Sequence, residues 1–131
     1  MTENEISVDI FNAAVRTHKA LGPGLLESIY EEVLAHELKK TGLQFQRRRP
    51  IPIVYEGVQL GSAFRADLIV EDKVIIEVKA VEAILPIHRT QLLSYLRLTN
   101  KHLGILLNFN TVLVKDGIHR VVNNLPESPK P

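Results

Sequence analysis

The sequence contains no cysteine and no tryptophan, and aromatic residues make up only 5% of its 131 positions. Without cysteine the chain can form neither disulfides nor thiolate metal sites, which fits a reducing compartment. Few aromatic rings are available to stack on unpaired bases, which argues against a protein that reads single-stranded nucleic acid by its sequence. These absences exclude two common kinds of site before any motif is considered.

Charge and hydropathy exclude further classes of protein. Sixteen Lys and Arg residues stand against fifteen Asp and Glu, leaving a formal net charge of +1. The bulk charge therefore indicates no particular partner, and any contact with nucleic acid must come from a local cluster. No apolar run approaches the roughly 18–20 residues of a membrane span. The acidic opening MTENEISVDIF lacks the basic flank and apolar run of a signal peptide, so a cytoplasmic location is expected.

The remaining composition is that of an ordinary globular protein, with 45% hydrophobic and 24% charged residues. A chain of 131 residues is long enough for one hydrophobic core but not for two. We expect a single domain over residues 1–125 and a disordered tail over residues 126–131.

The first forty residues predict two helices. Apolar residues recur at three- and four-residue steps through residues 5–21, which is typical of an amphipathic helix. Gly22-Pro23-Gly24 ends this helix sharply. A second helix is expected over residues 24–41, antiparallel to the first. Its predicted inward face consists of Leu25, Leu26, Ile29, Tyr30, Val33, Leu34 and Leu38.

From residue 43 onward the sequence favours strands. Pro50 and Pro52 each remove a backbone donor, which predicts an edge strand or a bulged one. Further strands are expected at 58–70 and 73–80, followed by a helix at 87–100. The apolar run LGILLNFN is typical of a buried central strand, and TVLVKDGIHRVV predicts a hairpin that turns at Asp116-Gly117. The fold class is therefore α/β, with a mixed central β-sheet flanked by helices and an N-terminal helical hairpin.

The two strands at 58–70 and 73–80 fix a local geometry. A two-residue turn would mix polar and apolar side chains on both faces, whereas a three-residue turn, Glu71-Asp72-Lys73, keeps one face wholly apolar. That register sets Asp67 opposite Glu77. It also sets Ile69 opposite Ile75 and Arg65 opposite Lys79.

The consequence of this register is chemical. Asp67 and Glu77 would lie side by side with Cβ atoms roughly 4.5–5.5 Å apart, and opposed like charges destabilise the sheet unless a cation or a proton lies between them. A hard ion such as Mg²⁺ would relieve the repulsion, and Lys79 could then hold a phosphate or an attacking water. The alternative is a half-exposed strand face on which Arg65 and Lys79 simply pair with the carboxylates.

The spacing Asp67…Glu77-Val78-Lys79 resembles the signature of the PD-(D/E)XK nuclease superfamily. Gln91-Leu-Leu-Ser-Tyr95 resembles the QxxxY element of its recombination-exonuclease branch. Ala66 stands where the superfamily signature has proline, a position that varies among members. The resemblance implies a restriction-endonuclease-like core.

A further match concerns the second helix. Gly24-Leu-Leu-Glu27-Ser-Ile-Tyr30 resembles the motif of the GxxExxY family, small bacterial and archaeal proteins assigned to the same superfamily. Glu27 is either a solvated first-turn acid that suits the helix dipole or a residue that reaches the carboxylate pair. Tyr30 fits the core better than the site.

The resemblance implies a Mg²⁺- or Mn²⁺-dependent nuclease that hydrolyses phosphodiester bonds, in DNA rather than RNA. Asp67 and Glu77 would hold the ion with the backbone carbonyl of Val78 and with Glu27. Lys79 would position the nucleophilic water. One alternative is an inactive module of the same fold that binds nucleic acid or protein, and another is a homodimer whose mixed-charge face is only a wet surface.

Several other polar residues have both a structural and a functional interpretation. Gln91 and Tyr95 form a polar stripe that either has a structural use or contacts the site and would orient the scissile strand. His18 is a cation at the end of the first helix or a ligand. The basic residues would either contact phosphates by charge alone or keep a solvated edge strand from pairing with other chains. The candidates for phosphate contact are the run Arg47, Arg48 and Arg49, together with Arg65, His88 and Arg89.

Overall fold

The computed structural model describes residues 1–126, apart from the side chains of residues 62 and 63. The predicted disordered tail, residues 126–131, lies outside the described residues except for its first position. Helix α1 spans Glu3–Leu21. It begins with a capping box, in which the Thr2 hydroxyl accepts from the Glu5 amide at 3.1 Å and the Glu5 carboxylate accepts from the Thr2 amide at 3.0 Å. It ends at Gly22, whose φ of 69° suits glycine.

Helix α2 spans Glu27–Lys40 and begins three residues later than its sequence pattern predicts. The Tyr30 hydroxyl donates to the Gly22 carbonyl at 2.6 Å and accepts from the Leu25 amide at 3.0 Å, so the connector backbone folds around it. Leu25 and Leu26 therefore project outward from a non-helical connector. The prediction that Leu25, Leu26 and Ile29 face inward is wrong, because all three are exposed.

The five strands form one mixed sheet in the order β1-β2-β3-β4-β5. Within the described residues only β3 and β4 pair in parallel; the other neighbouring pairs are antiparallel. The first strand lies at the sheet edge and its register shifts between Pro52 and Val54, so both features predicted from the prolines are confirmed. The strands are β1 Phe45–Tyr55, β2 Val58–Val70, β3 Val74–Lys79, β4 Leu103–Asn108 and β5 Ile118–Val122.

Helix α3, Pro86–Thr99, makes the crossover between the parallel strands β3 and β4. It lies close to the sheet because β4 carries Gly104 beneath Leu92, where a Cβ would come within 2.7 Å of the leucine Cγ. The carboxyl ends of β3 and β4 meet at one edge of the sheet, the edge at which α/β sheets usually hold ligands. The predicted α/β class with a mixed sheet and an N-terminal helical hairpin is confirmed.

The sheet separates two clusters of buried side chains. The larger cluster lies between the sheet and α1 and α2; the smaller lies between the sheet and α3. No helix among the described residues is long and apolar enough to cross a membrane.

The predicted hairpin at TVLVKDGIHRVV is wrong. Its first half contains the 3₁₀ helix Val114–Gly117, and only Ile118–Val122 forms a strand, which pairs with β4. At Gly117 the chain passes so close to the Asn108 carbonyl that any side chain would collide with it.

Candidate functional site

The register of β2 and β3 brings two carboxylates to one place. Val70 pairs with Val74 and Ile69 with Ile75, so the three-residue turn predicted at 71–73 is confirmed. Glu71 and Asp72 take the positive φ values, 53° and 54°, that this turn requires. The same register, extended by two residues, sets Asp67 beside Glu77.

Asp67 lies where β2 leaves the regular ladder. The backbone pairing runs as far as Leu68 with Ile76, and the next amide that faces β2, that of Val78, donates to the Asp67 Oδ2 at 2.8 Å. The carboxylate thus takes the place of a strand carbonyl. This bond holds Asp67 against the backbone of the residue that follows Glu77.

The two-residue alternation of β2 is interrupted at Asp67. Leu68 packs in the cluster under α1 and α2, whereas Ala66 and Phe64 pack in the cluster under α3. On this strand the face predicted to be wholly apolar would consist of Phe64, Ala66, Leu68 and Val70, and that prediction is wrong because the four residues are divided between the two faces. A regular strand would put all four on one side, and only a local irregularity reverses the side.

Glu77 is a buried carboxylate with a raised pKa. It is 9% exposed, and its Oε1 has no hydrogen-bond partner among the described residues. Burial, followed by the charge of Asp67, raises its pKa to about 9, and the charge of Lys79 opposes the shift. A buried carboxylate in this state requires either a proton or a cation.

The first turn of α2 reaches the carboxyl end of β3. The Glu27 Oε1 accepts a hydrogen bond from the Ala80 amide at 3.3 Å. Lys79, directly before Ala80, is half-buried, and its own carbonyl accepts from the Phe109 amide at 3.0 Å. Glu27 therefore flanks the strand that carries Glu77 and Lys79.

Helix α3 adds an aromatic side chain to the same face of the sheet. The Tyr95 ring stacks on Phe64 with centroids 3.4 Å apart and planes at 11°. Burial, then the charges of Glu77 and Asp67, raises the pKa of the Tyr95 hydroxyl. Gln91, one helical turn earlier, is exposed. Tyr95 thus lies near enough to the carboxylate pair for their charges to raise its pKa, whereas Gln91 is exposed on the same helix.

The donor set fits a hard divalent ion that keeps part of its water. Mg²⁺ is commonly held by one or two carboxylates together with water and substrate phosphates. Asp67 and Glu77 supply such a pair, and the unpartnered Glu77 oxygen is a free donor atom. Over residues 1–126 no three or more His, Cys, Asp or Glu side chains are grouped so that they could hold a metal ion, so Glu27 does not join Asp67 and Glu77 in one ligand set here.

The arginine run pairs with acids. Arg47 and Arg48 lie 3.9 and 3.3 Å from the Glu31 carboxylate, and Arg49 lies 3.0 Å from Asp72. Asp72 is in the turn that precedes β3, at the end of the strand opposite Lys79. The structure therefore does not bring Arg49 to the carboxylate pair.

The other basic candidates lie at different places on the surface. Arg65 is exposed, two residues before Asp67. The His88 Nδ1 accepts from the Leu85 amide at 3.0 Å, which caps the start of α3. Arg89 contacts His119 of β5 at 2.8 Å, away from β3.

His18 and Tyr30 lie on the other side of the sheet. The His18 Nε2 is 2.8 Å from the Thr111 carbonyl, and Tyr30 stacks on Phe109 with centroids 4.7 Å apart. Both side chains lie on the face of the sheet that α1 and α2 cover. Ile76 and Val78 also lie on that face, so Glu77, between them in β3, lies on the opposite face. Neither side chain is part of the carboxylate site.

Replacing Tyr30 by Phe should destabilise the fold. The change removes two part-buried hydrogen bonds, one to the Gly22 carbonyl and one from the Leu25 amide, and a typical hydrogen bond contributes about 0.5–1.5 kcal/mol. Urea denaturation measures the loss. Tyr55→Phe, at a position 63% exposed, is the matched control and should change the unfolding free energy by less than about 0.5 kcal/mol. Equal stability of the two variants would refute the connector role of Tyr30.

Sequence reasoning missed Asn108. It ends the apolar run of β4, is 3% exposed, and its side chain accepts from the Val81 amide at 3.1 Å and donates to the Val81 carbonyl at 2.9 Å. It thereby holds the segment that follows Lys79. A polar residue at the carboxyl end of an apolar strand was the signal that could have revealed it.

Comparison with models of protein families matches residues 4–121 to the model described as the PD-(D/E)XK nuclease superfamily. Comparison with curated proteins and with solved structures finds no match. The match covers all five strands and all three α-helices except the first residue of α1 and the last residue of β5.

Proposed function

The chain belongs to the PD-(D/E)XK nuclease superfamily, and we propose that it is a metal-dependent nuclease that hydrolyses phosphodiester bonds, with DNA as its substrate. One observation carries this proposal. Glu77 is buried beside Asp67 with an oxygen that has no partner among the described residues. A merely structural strand gains nothing from a carboxylate in that position, because its burial is unfavourable in the absence of a ligand.

Each residue of the site would have a separate role, set by its position. Asp67, Glu77 and the Val78 carbonyl would hold Mg²⁺ or Mn²⁺, and Glu27 would join them only by leaving its hydrogen bond with the Ala80 amide. When bound, the ion supplies Lewis acidity and neutralises charge on the phosphoryl group. Lys79 would bind the phosphate or orient the attacking water through its ammonium.

Two residues of α3 would contact the substrate backbone. The charges of Glu77 and Asp67 help to raise the pKa of the Tyr95 hydroxyl, and this hydroxyl would donate a hydrogen bond to a phosphate that approaches the two carboxylates. Gln91 would extend this contact from the exposed rim. Exposed Arg65, with His88 and Arg89, would add contacts that depend on charge alone and weaken with salt.

We further propose that the chain is a GxxExxY member of the superfamily. Gly24 has a φ of 96°, which glycine adopts readily. Glu27 bonds to the Ala80 amide, and the Tyr30 hydroxyl bonds to the connector between α1 and α2. The Gly24 backbone and the Tyr30 hydroxyl thus shape the connector between α1 and α2, and Glu27 links the start of α2 to the residue after β3.

We propose that residues 1–125 act as one nuclease-like domain, as a monomer or as a homodimer. A second candidate function is a module of the same fold that binds nucleic acid or protein without cutting. The ion pairs of Arg47 and Arg48 with Glu31, and of Arg49 with Asp72, favour it, because these arginines are not free for phosphates.

Purified protein should be incubated with end-labelled single-stranded DNA, double-stranded DNA and RNA, in Mg²⁺, in Mn²⁺ and in chelator. Cleavage that requires the metal and is greatest on DNA supports the proposal. Cleavage of RNA alone would overturn the substrate assignment. Gel-shift binding without cleavage in either metal would identify the binding module instead.

A further inference from the structure

We propose that Arg48 is a positioning residue, whose left-handed backbone conformation, secured by Glu31, turns Asp67 toward β3. The observation behind this inference is a coincidence of two irregularities in neighbouring strands. Arg48 has a φ of 52°, although it lies inside β1. Asp67 lies where β2 loses its regular alternation.

The strand register puts these two irregularities side by side. Arg47 pairs with Leu68 and Arg49 pairs with Ala66, so Arg48 and Asp67 are the residues between these two pairs. On one side of the break, Leu68 faces α1 and α2; on the other, Ala66 faces α3. In both strands, therefore, the alternation of side chains between the two faces of the sheet reverses at the same place, at Arg48 in β1 and Asp67 in β2. A reversal of this kind requires one residue to leave the extended conformation, and the residue that does so is Arg48.

An arginine does not take the left-handed conformation without support, because its Cβ is crowded there. The support comes from α2. The Arg48 Nε and Nη2 lie 3.4 and 3.3 Å from the Glu31 Oε2. Glu31 is only 5% exposed, and its Oε1 has no partner among the described residues, so this carboxylate depends on its arginines. The ion pair thus holds the Arg48 side chain on the side of the sheet that α2 covers and stabilises the positive φ of its backbone.

The consequence reaches the Asp67 carboxylate. Once β2 has changed sides, the Asp67 side chain points along the gap between β2 and β3, where its Oδ2 accepts from the Val78 amide at 2.8 Å. The hydrogen bond is a direct reporter of the Asp67 position. That this position serves metal binding rests on the proposed function, whereas the position itself does not.

The test substitutes Arg48 by residues that differ in their tolerance of positive φ. Glycine and asparagine accept it, whereas alanine tolerates it poorly and valine worst. Amide hydrogen exchange of the metal-free protein, followed by NMR, measures protection at Val78, with the amides of β4 as internal references. Arg48→Val should speed exchange at Val78 by about tenfold or more, and Arg48→Gly by less than about threefold.

Arg47→Val is the matched control, since Arg47 also lies near Glu31 but has no positive φ. It should leave Val78 protection unchanged. Equal protection at Val78 in wild type and Arg48→Val would overturn the inference, as would equally fast exchange in the Gly and Val variants. If Arg48→Val does not fold, Arg48→Ala and Arg48→Asn decide: faster exchange in the alanine variant supports the inference, and equal exchange refutes it.

Binding of Mn²⁺, titrated calorimetrically, separates this inference from the proposed function. Weaker Mn²⁺ binding by Arg48→Val than by Arg48→Gly supports both. If the wild-type protein binds no Mn²⁺ and cuts nothing, the proposed function fails, and the Val78 measurement still decides the role of Arg48.

Discussion

Asp67→Asn should lower metal-dependent cleavage by about a hundredfold to a thousandfold, the loss typical of removing a preorganised electrostatic group. The asparagine side chain keeps an oxygen that can accept from the Val78 amide, so the local fold should survive. The change then removes only the negative charge that would hold the ion. A cleavage assay at saturating Mg²⁺, together with a melting curve, measures both effects.

Lys79→Met is the companion variant. It keeps the length of the side chain and removes the ammonium beside Glu77, so cleavage should fall by a similar factor while metal binding persists. Lys115→Met, at an exposed position outside the sheet, is the control and should retain wild-type activity. Full activity in either Asp67→Asn or Lys79→Met would show that cleavage, where observed, does not use the carboxylate site.

The central geometry of this protein could be predicted from the sequence because the deciding interactions are local. The three-residue turn follows from the requirement that one face of a hairpin stay apolar, and the pairing of Ile69 with Ile75 confirms it. The same reasoning puts Asp67 near Glu77. The loop that joins β2 and β3 is short, so few alternative registers are open to the two strands.

The remaining features depend on contacts between residues distant in sequence. Glu31 lies seventeen positions from Arg48, and no periodicity reveals that a buried acid on α2 pairs with the exposed Arg47 and Arg48. The side reversal of β2 depends on the same contact, so the alternation from Phe64 to Val70 misled the prediction. The prediction that Leu25 and Leu26 face inward also failed because of a contact outside the local pattern. The Tyr30 hydroxyl bonds to the backbone of the connector and holds it in a non-helical conformation.

The burial of Glu77 has a measurable effect on stability as a function of pH. Its pKa is raised from 4.5 to about 9 in the folded protein, so the folded state keeps a proton that the unfolded chain releases between these values. Metal-free stability should therefore fall as pH rises through this window. Glu77→Gln removes the titration and keeps the shape. At pH 8 the variant should be more stable than wild type by about 2 kcal/mol, since each pKa unit corresponds to about 1.4 kcal/mol and hydration of the opened site lessens the full effect.

Metal should reverse this order of stability. Asp67 and Glu77 would bind a divalent ion in place of the proton, and binding at a hundredfold excess over the dissociation constant stabilises a folded protein by about 2.7 kcal/mol. Glu77→Gln lacks the second charge and should gain much less. At pH 8 in chelator, Glu77→Gln should be more stable than the wild type. At pH 8 in Mn²⁺, the wild type should be at least as stable as Glu77→Gln.

Urea denaturation at pH 5 and pH 8, each with chelator and with Mn²⁺, measures both effects on the same two proteins. Glu32→Gln, an exposed carboxylate on α2, controls for the loss of one negative charge and should follow wild type under all four conditions. A stability gap between wild type and Glu77→Gln that is the same at both pH values would show that Glu77 is ionised and solvated in the folded protein. A gap that widens with pH but does not respond to Mn²⁺ would show that the buried carboxyl group is kept for its proton, and it would count against the metal site.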